Sequence, residues 1–132
     1  MARIRQKDTE PEMVVRRLVH EMGYRYRLHR KDLPGSPDIV LSRLRKVIEV
    51  RGCFWHHHPD PSCTRARFPK TRQEFWIPKL KHNARRDEEN ERKLCALGWD
   101  LIVIWECQTT PRHREHLKET LQGFLSANVV AV

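Results

Sequence analysis

Two carboxylates and a cation in the first half of the chain could together hold a metal and act on a phosphate. Asp38 follows Pro37, and Glu49-Val50-Arg51 comes eleven residues later. On adjacent strands the two carboxylates could face the same side and share Mg²⁺, which prefers oxygen ligands and keeps several waters. Arg51 could then stabilise charge that builds up on a phosphate during hydrolysis. The alternative is a turn aspartate and an edge-strand glutamate paired with surface arginines, since such short patterns recur by chance.

A second cluster has the residue types of a zinc site. Four residues separate Cys53 from His58 and four more separate His58 from Cys63, while Cys107 follows at the end of a predicted strand. A Cys₃His set suits tetrahedral zinc, and four protein ligands imply a closed, structural site that pins a proline-rich loop. The alternative is free thiols that bind metal incidentally. Cys95 competes for the fourth position, but we expect it to be a buried thiol on a helix.

The residues between Cys53 and His58 include further candidates. His56, His57 and His58 cannot all bind one zinc, so a spare neutral imidazole near the two carboxylates could activate water as a general base. Phe54 and Trp55 precede it, and exposed aromatic side chains beside a basic site can wedge between base pairs. Packing in the core is the alternative for each of these two.

Bulk properties limit the class of protein. The chain has 132 residues, which predicts one domain, 1–132, and a formal charge of +9, which favours a polyanionic partner over a merely basic surface. No apolar run approaches the ~20 residues of a membrane span. The first residues also lack the apolar core of a signal peptide, so we expect a reducing compartment, where cysteines serve as metal ligands rather than in disulfides.

The elements that must position these residues follow from periodicity, which predicts an α/β sandwich in the order α-β-β-β-α-β-α around a mixed sheet. Helices are expected over 8–22, 71–97 with a break at Pro78, and 111–125, and strands over 24–28, 38–41, 46–51 and 100–105. The first three strands should form an antiparallel meander. The last strand is the most apolar, which favours a central position covered on both faces. Glu12, in the first helical turn, is expected to be solvated, as is most of the charged stretch 85–93.

Longer motifs resemble the very short patch repair (Vsr) endonucleases, within the PD-(D/E)xK restriction-endonuclease-like superfamily. The likeness covers most of the chain, from near Met1 to near Cys107. The motifs are Leu33–Asp38, Gly52–His58, Glu74–Trp76, Asn83–Asp87, Leu97–Trp99 and Ile104–Cys107. The resemblance implies a restriction-endonuclease-like α/β/α sandwich with a structural zinc. It also implies nicking of DNA on the 5′ side of the thymine in T:G mismatches, which arise when 5-methylcytosine deaminates.

The same resemblance implies roles for individual residues. Asp38 would bind Mg²⁺ together with the carbonyl of Val50, His56 would be the general base, and Glu12 would support the metal and the base. The remaining roles are zinc ligation by Cys53, His58, Cys63 and Cys107, and entry into the duplex by Phe54, Trp55 and Trp76.

The sequence departs from the family pattern at three places. Glu49 and Arg51 stand where the family usually has an aromatic residue and a histidine, and they match the wider PD-(D/E)xK pattern with arginine for lysine. This favours Glu49 as a second carboxylate at the magnesium site and loosens the expected T:G specificity. Pro59–Ser62 lengthens the zinc loop. The N-terminal arm before the first helix is nearly absent, from which we expect weaker or less selective DNA binding.

These observations predict a Mg²⁺-dependent, zinc-stabilised DNA endonuclease that nicks one strand of mismatched double-stranded DNA. We expect a cytoplasmic, nucleoid-associated bacterial monomer with a mismatch-repair protein as a candidate partner. One alternative is a dimeric restriction-like or homing-type nuclease that cuts both strands. The other is a non-catalytic, zinc-stabilised DNA-binding module, which would have no need of Asp38, Glu49 and His56.

Overall fold

A mixed sheet of four strands forms the middle of the described part of the chain, residues 8–127 of the computed structural model. The strands are β1 (Arg27–Leu28), β2 (Ile39–Leu41), β3 (Lys46–Arg51) and β4 (Asp100–Trp105), in the spatial order β1-β2-β3-β4. The helices are α1 (Glu10–Glu21), α2 (Gln73–Ala96) and α3 (Arg114–Ser126). Short 3-10 turns lie at Thr64–Ala66, Glu106–Gln108 and Pro111–His113. The order of helices and strands is the predicted one, although β1 is shorter than expected.

Strand pairing confirms the predicted meander and corrects the position of the last strand. β1 pairs with β2 and β2 with β3 in antiparallel fashion, whereas β3 pairs with β4 in parallel, from Lys46 opposite Asp100 to Arg51 opposite Trp105. Within residues 8–127, β4 therefore lies at the sheet edge, and the prediction of a central position is wrong. The helical crossover through α2 places β4 beside β3, and only Ile104 of β4 is fully buried. Apolar content alone does not distinguish a central strand from an edge strand.

Helices cover both faces of the sheet. On one face, α1 and α3 pack against Ile39, Leu41, Ile48 and Ile104. On the opposite face, Leu94 of α2 packs with Val40, Val47 and Trp99. Because side chains of a strand alternate between faces, β2 and β3 contribute to both clusters. This three-layer arrangement is consistent with a restriction-endonuclease-like sandwich.

α1 begins as the sequence predicts but buries an unexpected acid. The Thr9 hydroxyl accepts a hydrogen bond from the backbone N–H of Glu12, and Pro11 lies in the first turn. Val15 and Val19 are completely buried against the sheet. Glu12 is only 2% exposed, so the prediction of a solvated acid is wrong. The Glu12 side of the first turn faces the end of the sheet where Asp38 lies, whereas Glu10 is exposed.

α2 is a continuous helix of 24 residues, so the predicted break at Pro78 is also wrong. Pro78 lies in the second turn, where it lacks the N–H that would bond to the Glu74 carbonyl, and the helix continues through it. The helix ends before Gly98, whose φ of +90° is accessible to glycine at little cost. Because α2 is one uninterrupted helix, it packs against the sheet and also reaches the ends of β2 and β3.

The N-terminal arm, which the sequence predicts to be nearly absent, lies outside the described residues. Between residues 8 and 127, no helix is both long and apolar enough to span a bilayer.

Candidate active site and metal centre

The ends of β2 and β3 bring the predicted carboxylates together. Asp38 directly precedes β2, and its Oδ2 atom accepts a 2.7 Å hydrogen bond from the backbone N–H of Val50 in β3. The register pairs Ile39 with Ile48, so one further step places Asp38 opposite Glu49 on the same face. The meander therefore positions these carboxylates as the sequence pattern predicts.

Burial and neighbouring negative charges disfavour the ionised form of the Asp38 carboxyl. Burial, a hydrogen bond with Glu12 and the negative charges of Glu12 and Glu49 together raise its pKa to about 8, against the lowering effect of the Val50 N–H. Two acidic side chains in contact and away from water suit a hard cation with oxygen ligands. The donor set at Asp38 and Glu12 therefore fits a divalent ion such as Mg²⁺.

These carboxylates open onto a groove of about 940 Å³. Its wall combines Glu12, Asp38, Trp55 and His56 with exposed cations that sequence analysis did not single out. Those cations are Lys31, Lys79 and Arg86. A groove lined by buried acids and by exposed cations can hold a metal ion and a polyanion together.

His29 is a site residue that sequence analysis missed. Its Nε2 atom lies 3.3 Å from Oε2 of Glu12, and its Nδ1 atom lies 3.8 Å from Oδ1 of Asp38. The side chain thus bridges the two carboxylates just beyond the end of β1. Its only sequence signal is its place at the end of an alternating strand, which does not distinguish it from a surface histidine.

Glu49 and Arg51 form an ion pair with each other. Oε2 of Glu49 accepts hydrogen bonds from Arg51 Nε at 3.2 Å and from Arg51 Nη2 at 2.5 Å. Nη1 of Arg51 lies 2.8 Å from Glu91 on α2, and the Arg51 side chain is only 8% exposed. Burial raises the pKa of Glu49, while Arg51 opposes the shift. The guanidinium charge of Arg51 is therefore directed at protein carboxylates.

His56 is held by an aspartate on α2. Its Nδ1 atom lies 2.7 Å from Oδ2 of Asp87, whose side chain is 13% exposed. With Nδ1–H bonded to the carboxylate, a neutral imidazole presents Nε2 as the proton acceptor. Asn83, one turn earlier on α2, donates a 3.1 Å hydrogen bond to the carbonyl of Trp55. Two side chains of one helical face therefore fix the segment that carries His56.

Asp87 was missed because it stands in the charged stretch that we expected to be solvated. Asn83 and Asp87 are four residues apart, so a helix places both on one face, and this spacing was the available signal. Nothing local pairs that face with residues 55 and 56. The contact depends on tertiary packing of α2 against the turn after β3.

The turn after β3 separates the histidines. His56 N–H donates to the Gly52 carbonyl at 3.1 Å, and His58 N–H donates to the Cys53 carbonyl at 2.9 Å. His57 has a φ of 48°, which reverses the chain between them. His56 consequently faces the carboxylate groove, whereas His58 faces the cysteines.

The predicted zinc ligands converge. The ligand atoms of Cys53, His58, Cys63 and Cys107 all lie within 4.8 Å of one another, and could hold a metal ion. Burial and hydrogen bonds with its neighbouring thiols together raise the pKa of the Cys53 thiol to about 12. Crowded thiols with raised pKa values suit a cation that stabilises thiolates. Cys95 is exposed on α2, so the prediction that it is buried is wrong.

Phe54, Trp55 and Trp76 form one half-buried aromatic cluster. Their ring centroids lie 5.1 to 5.8 Å apart in edge-to-face arrangements. Phe75, which is 43% exposed, extends the cluster with its centroid 5.1 Å from that of Trp76. The turn after β3 and the start of α2 therefore present a shared aromatic surface next to the groove.

Sequence comparison relates the chain to known DNA endonucleases. The sequence model of the family described as DNA mismatch endonuclease Vsr matches residues 1–65. The type II nicking enzyme V.XorIIP of Xanthomonas oryzae is 49% identical over 108 residues, which are 82% of this chain and 77% of that protein. The DNA mismatch endonuclease Vsr of Escherichia coli is 37% identical over 128 residues, 95% of this chain and 80% of that protein. With relatives this similar over most of its length, the chain belongs to the Vsr endonuclease family.

Proposed function

We propose that this protein is a metal-dependent DNA endonuclease that nicks one strand, on the 5′ side of the thymine in a T:G mismatch. The observation that carries the proposal is one groove in which the Asp38 and Glu12 carboxylates stand beside a His56–Asp87 pair. The name of one relative, DNA mismatch endonuclease, supports a mismatched substrate, and the name of another, type II nicking enzyme, supports cutting of a single strand. The formal charge of +9 supports a DNA substrate.

The metal sites follow from the donor sets. Asp38 and the Val50 carbonyl would hold Mg²⁺, with Glu12 next to them and Glu49 adding negative charge. Bound there, the ion would polarise the phosphate and stabilise its developing charge. Structural zinc would be held by Cys53, His58, Cys63 and Cys107.

His56 has the geometry of a general base. Nε2 accepts a proton from the attacking water, and Asp87 stabilises the imidazolium that forms. The water oxygen bonds to phosphorus while the bond from phosphorus to the 3′ oxygen breaks. The 3′ oxygen takes a proton from solvent water as it leaves, so the products are a 5′-phosphate and a 3′-hydroxyl. His56, in the turn after β3, thus removes the proton, and Asp87, on α2, fixes the orientation of His56.

Exposed cations are better placed than Arg51 to contact a DNA phosphate. The Arg51 guanidinium is buried between Glu49 and Glu91, so we propose that it holds Glu49 and supports the site from within. Lys79 and Arg86 are exposed on α2 at the groove and can reach a backbone phosphate.

The aromatic cluster would contact the mismatch. We propose that Phe54, Trp55 and Trp76 enter the duplex and unstack the mismatched pair, which costs less for a mismatch than for a matched pair. Phe75 lies between Arg72 and Lys79, with cations 5.0 and 5.5 Å from its ring. This basic border can hold the backbone beside the opened step.

The test is nicking of a labelled duplex with one T:G mismatch, beside its T:A and C:G counterparts, in Mg²⁺ and in EDTA. We expect Mg²⁺-dependent cutting of the T strand in the mismatch alone. Equal cutting of all three duplexes would overturn mismatch specificity and favour the restriction-like class. Binding without cutting, across a panel of flanking sequences, would favour a DNA-binding module.

Asp87 provides a prediction specific to this site. Asp87→Asn should lower the single-turnover nicking rate by about 10²-fold, because His56 loses the carboxylate that orients it and stabilises its charge. DNA affinity should change little. The matched control is Asp100→Asn, an exposed aspartate at the start of β4, which should nick normally. An Asp87→Asn enzyme with full activity would remove Asp87 from the mechanism.

A further inference from the structure

A second groove lies at the opposite end of the sheet from the carboxylates, and none of the roles above involves it. Its volume is about 850 Å³. Asp38 precedes β2, whereas Ser42 and Arg43 of this groove directly follow β2. Because a strand rises about 3.3 Å per residue, the chain from Asp38 to Ser42 spans roughly 13 Å. The groove is therefore separate from the one that we assign to DNA.

The charged side chains that line this second groove are all basic. His20, from the last turn of α1, lines it together with Arg25, Arg27 and Arg43, and no aspartate or glutamate is among its described residues. The three arginines are exposed, and within residues 8–127 none of them forms an ion pair. Cations gathered on one concave surface without an acid attract an anionic partner.

The groove lies along the start of β1, which is an edge strand. Among the described strands only β2 pairs with β1, so the backbone groups of β1 that point away from β2 have no strand partner there. Such an edge can accept an added strand through main-chain hydrogen bonds. Leu28 is 40% exposed and Tyr24 and Tyr26 are half-buried, so apolar surface is also available. An extended peptide can use both the edge and this surface, whereas a DNA duplex offers no peptide groups with which β1 could pair.

The arginines determine which kind of strand can add. A second copy of this chain would bring its own arginines against the same charges, so pairing of β1 with β1 is disfavoured. Arg25 and Arg27 are two residues apart, and a strand with acids at alternate positions presents opposite charges at the same spacing.

We propose that this groove binds an extended acidic segment of a partner protein, which adds to β1 as a further strand. The carboxylate groove at the other end of the sheet stays free for DNA. The inference concerns a partner, so it goes beyond the proposed nicking reaction and does not depend on it.

The experiment measures binding of a fluorescein-labelled peptide to zinc-loaded full-length protein by anisotropy, near physiological salt. The probe is a short peptide that alternates glutamate with valine. The wild-type chain should bind it equally well with and without an excess of T:G duplex. Arg25→Gln combined with Arg43→Gln should weaken binding about tenfold or more, because charge-assisted contacts are lost. The matched control, Arg92→Gln with Arg112→Gln, removes the same charge from exposed positions outside both grooves and should bind as wild type.

Two further peptides test how the probe is held. A peptide with lysine in place of glutamate should not bind, because its charges have the sign of the groove. A peptide with methyl groups on alternate backbone amides keeps the negative charges but cannot form the ladder of main-chain hydrogen bonds. It should bind at least about tenfold more weakly than the parent peptide.

The outcomes separate this inference from the proposed function. No binding to the wild-type chain, or full affinity in the Arg25 and Arg43 double variant, would overturn the docking site. Displacement of the peptide by the duplex would overturn it too, since the peptide would then lie in the DNA groove. Unchanged affinity of the methylated peptide would overturn the added strand. The double variant should nick the T:G duplex at the wild-type rate, and a wild-type chain that never nicks would overturn the proposed function while peptide binding still decides the groove.

Discussion

Asp38→Asn should reduce nicking of the T:G duplex by about 10³-fold or more, because several kcal/mol of charge stabilisation by the ion is lost and each 1.36 kcal/mol is a factor of ten. The side chain keeps its size and can still accept the hydrogen bond from Val50. The zinc cluster does not contact it, so the zinc content should stay at the wild-type value. The measurement is single-turnover nicking beside metal analysis of the same preparation.

The melting temperature of metal-free Asp38→Asn should show directly that a charged Asp38 destabilises the protein. Because burial raises the pKa of Asp38 to about 8 in the folded chain, above its value near 4 in the unfolded chain, wild-type stability falls as pH rises from about 4 to 8. Asparagine does not titrate, so metal-free Asp38→Asn should gain melting temperature over wild type as the pH approaches 8. The exposed control Asp32→Asn should gain none from this source and should nick normally. Nicking that survives in Asp38→Asn would remove the proposed metal site.

Local sequence patterns predicted the parts of the site that lie on neighbouring strands or within one loop. Asp38 and Glu49 meet because two short strands joined by a tight turn must pair antiparallel. The zinc ligands meet because three of them fall within one loop, and Cys107 follows β4, which pairs with the strand before that loop. In both cases the sequence separation and the element type already limit the geometry.

Where a position depends on packing between distant elements, the local pattern gave the wrong environment or missed the residue, although the family resemblance did assign Glu12 a role at the metal. Glu12 and Asp87 both look like helical surface acids, since the local pattern does not show which helical face meets the end of the sheet. His29 carries no motif of its own, and it contacts the carboxylates only because α1 lies against the end of β1. The edge position of β4 was missed for the same reason, because hydrophobicity reports burial and not strand order.

Glu49 and Arg51, which both depart from the family pattern, form an ion pair with each other. A glutamate and an arginine two residues apart on one strand face the same side, and here they neutralise each other in a buried place. Glu91 on α2 completes the set, so β3 and α2 are joined by charge as well as by apolar contact. Removing one member would leave a buried charge uncompensated, which costs more than the intact set contributes.

The largest structural effect is expected from Cys53→Ser. This change removes the buried thiol of the proposed zinc site, and structural zinc is worth on the order of 10 kcal/mol of folding-coupled binding in small zinc domains. We expect loss of stoichiometric zinc, a lower melting temperature and no detectable nicking. Within the described residues 59–70 the chain forms one short 3-10 turn, so we expect the loop to depend on the proposed metal for its order.

Loss of zinc should reach the reacting groups by two routes. Phe54, Trp55 and His56 follow Cys53 directly, so a released Cys53 frees the segment that carries the general base. His58 also stacks on Trp105, with centroids 4.2 Å apart, and Trp105 lies 5.9 Å from the guanidinium of Arg51. The exposed Cys95→Ser is the matched control, since it removes a thiol from α2 without touching the cluster. A Cys53→Ser protein that kept its zinc and its melting temperature would show that the four side chains converge without holding a metal.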